Sequence, residues 1–71
     1  MAEQIYAEMV ANVFSVAVAE GDLVEAGETL LVLESMKMEI PVLCEAGGRV
    51  AEVKVHPGDV VQEGDVLVVV A

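Results

Sequence analysis

The chain repeats itself. Sliding the sequence by 37 positions lays Val13 to Leu33 on Val50 to Val70 without a gap. Identical pairs are Val13/Val50, Val16/Val53, Val18/Val55, Gly21/Gly58, Asp22/Asp59, Val24/Val61, Gly27/Gly64, Leu30/Leu67 and Val32/Val69. Glu8/Glu45 extends the match upstream. Nine identities in 21 positions exceed what a valine-rich composition gives by chance. Two copies of one supersecondary unit, at about residues 3–33 and 40–70, predict a single domain over 1–71 with quasi-two-fold symmetry. Under that symmetry the junction, residues 34–39, and the chain ends are equivalent places on opposite sides. The junction should therefore project away from both termini.

Each unit reads as β structure. Valine dominates, and β-branched side chains suit a pleated, half-buried surface. Glycine and aspartate punctuate at short intervals, as between short strands of a sandwich or flattened barrel. A first strand is expected from Glu3 to Glu8, with Ile5 and Ala7 on one face. Its counterpart, Ile40 to Glu45, sets Ile40, Val42 and Cys44 on one face. Pro41 has no amide hydrogen, so that strand begins there or lies at a sheet edge. In Val13 to Val18 and Val50 to Val55 the alternation slips at the same place, which predicts a bulge or bend in both copies. Pro57-Gly58 suits a type II turn, with Glu20-Gly21 in the same place one copy earlier. Asp22 and Asp59 can each accept from a backbone amide just ahead; repeated turn chemistry, not metal binding, accounts for them. Leu30 to Leu33 and Val66 to Val70 close the copies as buried strands.

Composition narrows the function. A domain of 71 residues often needs disulfides or a metal, but one cysteine and one histidine offer neither. Apolar packing must hold it, and 56% hydrophobic residues can supply that. Thirteen acidic residues against three basic ones give a formal charge of −10, which repels nucleic acid and anionic lipid. With only Tyr6 and Phe14 as aromatics, a stacking platform for single strands is not built. Met1-Ala2-Glu3-Gln4 does not start a signal peptide, and the longest apolar run, Val66 to Ala71, is too short to span a membrane. A cytoplasmic location is the simplest expectation. Cys44 reads as a small buried apolar residue, and His56, ahead of a Pro-Gly turn, as exposed.

The junction reads Glu34-Ser35-Met36-Lys37-Met38-Glu39. Strands ending at Ser35 and starting at Met38 leave Met36-Lys37 as a two-residue loop. That register sets Leu33 against Ile40 and Leu31 against Val42, which are sensible apolar pairs. It also sets Glu34 against Glu39, and opposed like charges are destabilising. Two-residue hairpins usually take Asn-Gly or Asp-Gly, because both loop residues need positive φ. Departures from local rules gather at functional positions. A lysine amine is protonated at neutral pH, and neighbouring carboxylates favour that form. No base stands beside Lys37 in sequence, so it suits the role of a substrate for another enzyme better than that of a catalytic nucleophile.

Glu34-Ser35-Met36-Lys37-Met38-Glu39, set between two Gly-Asp-containing β units, resembles the biotinyl/lipoyl carrier domains. The Met-Lys-Met triplet is similar to the biotin-accepting version, and the brevity to small free-standing biotin carboxyl carriers. The resemblance implies an all-β barrel-sandwich hybrid, a flattened barrel of two four-stranded antiparallel sheets. It implies that Lys37 takes biotin in amide linkage from a biotin–protein ligase. It implies carboxylation of the tethered ring by a biotin carboxylase and transfer at a carboxyltransferase, with no catalytic residue in the carrier. Met36 and Met38 would flank the modified residue, and Glu34, Ser35 and Glu39 would serve ligase recognition. Two departures stand out: Ser35 replaces a common alanine, and Glu8-Met9-Val10-Ala11-Asn12 replaces a Pro-Met joint with a following glycine. Asn12 can still adopt left-handed backbone geometry. A lipoyl carrier of the same fold, or an unmodified structural or adaptor β-domain, are the alternatives; Met-Lys-Met argues against the first.

Overall fold

The computed structural model describes residues 2–71. Eight strands follow in order: β1 Glu3–Tyr6, β2 Ala11–Val16, β3 Leu23–Val24, β4 Thr29–Ser35, β5 Met38–Leu43, β6 Gly48–Val53, β7 Val60–Val61 and β8 Val66–Val70. They form two four-stranded antiparallel sheets, ordered β1-β8-β6-β3 and β5-β4-β2-β7. Exchanging each strand for its counterpart in the other copy turns one order into the other. The sequence repeat is thus a spatial two-fold.

Alternation builds the core. Ile5, Val13, Leu33 and Val50 point inward, and Leu30, Leu31, Leu67 and Val68 are wholly buried between the sheets. The expected slip is present in both copies. The β2–β4 register shifts between Val13 and Ser15, and the β6–β8 register between Val50 and Glu52. The extra residues, Phe14 and Ala51, are themselves equivalent, and both are exposed. A bulge at one place in each copy gives both sheets the same added twist.

Turn chemistry also occurs in duplicate. The Asp22 and Asp59 amides donate to the Ala19 and His56 carbonyls across Gly21 and Gly58, whose φ values are +94° and +95°. A second pair, Glu25–Glu28 and Gln62–Asp65, repeats this across Gly27 and Gly64. In all four turns the last residue's carboxylate accepts from the first residue's amide, at 2.8–3.2 Å. That amide lies three residues behind the aspartate, not ahead of it as the sequence suggested. Cys44 is buried because it repeats Ala7: each donates its amide to an acidic residue's carbonyl, Glu28 or Asp65, and accepts from the amide of Gly27 or Gly64.

Pro41 sits in β5, an edge strand, opposite Val32. In a two-residue hairpin Ser35 and Met38 form the hydrogen-bonded closing pair, so alternate pairs turn their backbone groups outward. Pro41 falls on an outward position, where its missing amide removes a donor from the open edge rather than from the ladder.

Several boundaries differ from expectation. β1 stops at Tyr6 rather than Glu8, because its register shifts between Ile5 and Tyr6 and Ala7 turns to bond the Gln62–Asp65 turn. β2 and β6 begin two residues earlier than expected, since Ala11, Asn12, Gly48 and Arg49 already pair with neighbours. Asn12 takes no left-handed geometry: it lies within β2, opposite Glu34 and Val60.

Candidate functional site

β4 and β5 make the longest hairpin, and its turn is Met36-Lys37. Leu33 pairs with Ile40, Glu34 with Glu39 and Ser35 with Met38, as the apolar pattern required. Both turn residues have positive φ, 53° at Met36 and 65° at Lys37. They are the only non-glycine residues so placed among those described. Left-handed geometry costs a side-chain-bearing residue about 1–2 kcal/mol. The packed ladder on either side holds the tip in a conformation its residues disfavour. In the other copy the corresponding place is the gap between β8 and β1, where Glu3 pairs with Val70 and the chain ends lie. The two-fold therefore sets the tip and the termini at opposite ends.

Side-chain alternation divides the site. Leu33 is buried and Ile40 half-buried, so Ser35 and Met38, one step of two further on, share the inward side. Glu34 and Glu39 are on the outer face, in one row with Asn12 and Val60. Glu34 is half-buried and Glu39 exposed. Met36 is 91% exposed and Met38 64%, an unusual display for two large apolar side chains.

Lys37 is exposed. Among the described residues no carboxylate comes within 4.0 Å of its amine, so the expected direct support from Glu34 and Glu39 is not made. The chain's other lysine, Lys54, pairs with Glu52 at 2.6 Å. Chemically, the tip offers one unpartnered primary amine on a stiff support and no neighbouring base. Cys44 is buried near the far end of β5, and His56 lies on the other copy's turn beside Asp59, 3.8 Å away. No group of three or more His, Cys, Asp or Glu among the described residues is arranged to hold a metal ion. No helix is long and apolar enough to cross a membrane.

The surroundings of the lysine include residues the sequence did not single out. Because Asn12 faces Glu34 in an antiparallel pair, Val10 lies alongside the turn, two residues nearer the tip. Val10 is 65% exposed and Val60, in the outer row, 66%. With Met36 and Met38 they are four large apolar side chains exposed to solvent. No local motif marks Val10 or Val60.

Residues 2–70 match the family described as "Biotin-requiring enzyme". The chain is 52% identical to a protein of Mycobacterium leprae named "Biotinylated protein TB7.3 homolog", over 71 residues that cover the whole of both. Its fold superposes on part of the urea carboxylase of Kluyveromyces lactis with a TM-score of 0.93 and 34% identity, covering 100% of this chain and 6% of that one. It also superposes on the lipoyl domain of the 2-oxoglutarate dehydrogenase complex from Azotobacter vinelandii, with a TM-score of 0.78, 25% identity, and 94% and 95% of the two chains covered. With its sequence matched from Ala2 to Val70 and its fold shared with both, the chain belongs to the biotinyl/lipoyl family, whose domains carry a covalent cofactor and have no catalytic activity of their own.

Proposed function

We propose that this chain is a biotin carboxyl carrier and that Lys37 is its attachment point. One observation supports this above the rest: Met36-Lys37-Met38 stands at a strained, exposed turn, with the lysine amine unpaired among the described residues. A biotin–protein ligase would supply the activated biotinyl group and the base. The lysine nitrogen gives up a proton and forms the amide, and the activating group leaves with the ligase. The name of the mycobacterial relative and the description of the matching family support biotin as the cofactor.

When attached, biotin supplies a ring nitrogen that can carry a carboxyl group from a biotin carboxylase to a carboxyltransferase. The chain's own residues present and orient it. The hairpin fixes the tether's root, and the side chain supplies reach. Tethering replaces free encounter by a high local concentration at each active site. A formal charge of −10 and a narrow tip suit brief, small contacts with successive enzymes. Residues 1–71 act in this reading as one carrier unit, the two copies forming the mount for residues 34–39. A buried, unpaired thiol at Cys44 suits the reducing cytoplasm. Glu34, Ser35 and Glu39 would be read by the ligase from two faces, the glutamates from the outer one and Ser35 from the other.

The test compares Lys37→Arg with Lys54→Arg after coexpression with a biotin–protein ligase. Streptavidin should capture the wild type and Lys54→Arg, and lose Lys37→Arg. Capture of Lys37→Arg at the wild-type level would refute the assignment. A lipoyl group on Lys37 would favour the alternative carrier, which shares this fold.

A further inference from the structure

The two sheets do not close on each other along one side. Between the edge strands β1 and β5 runs a cleft of about 530 Å³. Ile5, Ile40 and Val42 give it an apolar floor, and Glu3, Glu8 and Glu45 line it with negative charge. No lysine, arginine or histidine lines it. At its tip end Ile40 stands three residues from Lys37, roughly 10 Å along the strand.

The repeat exposes an asymmetry here. Glu3 occupies the position that Ile40 holds in the second copy. Ile40 does what that position asks, since it packs against the core. Glu3 instead puts a carboxylate there, and its Oε1 is shut off from solvent with no hydrogen-bond partner among the described residues. A buried acceptor without a partner opposes folding. An apolar residue would serve the isolated fold better. The two edges also differ. β5 lacks an outward donor at Pro41, whereas Glu3–Tyr6 contains no proline, so β1 is the edge able to accept another strand.

The geometry points to a docking groove for an extended segment of a partner protein, added as a strand to the open edge of β1. Its apolar side chains lie on Ile5, Ile40 and Val42, and a lysine or arginine reaches Glu3. The acidic lining selects a basic segment, and disfavours a second copy of this acidic chain. This inference does not depend on what Lys37 carries.

Titration of the full ¹⁵N-labelled chain with a short peptide, alternating valine and threonine about a central arginine, tests it. Amide shifts should move saturably along Glu3–Tyr6 and Ile40–Glu45. Replacing the arginine by citrulline, or making Glu3→Gln, should weaken binding about tenfold, the usual range for a charge-assisted bond. Glu63→Gln, an exposed acid outside the cleft, should change it less than twofold. Equal binding of the citrulline peptide, equal loss in Glu63→Gln, shifts spread over the whole acidic surface, or no binding at all would overturn the proposal. Concentration-dependent shifts of the same strands without peptide would make the occupant a second copy, and would overturn it equally.

Discussion

Glu34 and Glu39 face each other across the β4–β5 ladder, in the second pair below the turn that holds Lys37. Two negative charges in directly opposed positions oppose the hairpin by roughly 0.2–1 kcal/mol. Glu34→Gln should therefore raise stability by a few tenths of a kcal/mol, and the gain should shrink in high salt as screening weakens the repulsion. The same variant should change the rate at which a biotin–protein ligase modifies the chain. Urea denaturation at two ionic strengths reads the first effect and a timed biotinylation assay the second. An unaltered ligase rate would make Glu34 an ordinary surface residue.

The turn conformation gives a second prediction. Glycine adopts positive φ without the side-chain penalty, so Met36→Gly should stabilise the hairpin by about 1 kcal/mol. It should also slow modification of Lys37, because it removes a 91%-exposed apolar side chain beside the amine. Greater stability with slower modification would separate the needs of the fold from those of the site.

How much of this was legible in the chain alone follows from period. The hairpin register was readable because Leu31, Leu33, Ile40 and Val42 allow only one in-phase pairing around two loop residues. The bulges were readable because Val13 and Val50 break parity identically. β3 and β7 were not, since two residues cannot show an alternation. Strand ends were misjudged where polar residues pair in the ladder, as Asn12 and Arg49 do. At the site, the lysine and its neighbours stood out as a motif. The exposed Val10 and Val60 did not, because they lie on segments distant from it in sequence.

A third prediction concerns close packing. Gly48 has φ +145°, and a Cβ there would lie 2.3 Å from the Ala71 carbonyl oxygen. Gly48→Ala should destabilise the chain by about 2–3 kcal/mol, the range for backbone strain with overpacking. Its counterpart in the first copy is already an alanine, Ala11, buried in β2. Ala11→Gly should cost less, about 1 kcal/mol. Denaturation midpoints of the two variants check this.

The two-fold predicts matched responses in the core. Leu30 and Leu67 are equivalent, and both are fully buried. Leu30→Ala and Leu67→Ala should each destabilise by about 3 kcal/mol and by similar amounts. A large difference would mean that the copies carry unequal shares of the core.

Intact-mass spectrometry of the chain coexpressed with a biotin–protein ligase, followed by fragmentation to locate any added group, tests the central claim most directly. The account predicts a mass increase equal to one biotinyl group, placed on Lys37. An unmodified mass, a group of different mass, or biotin on Lys54 would contradict it.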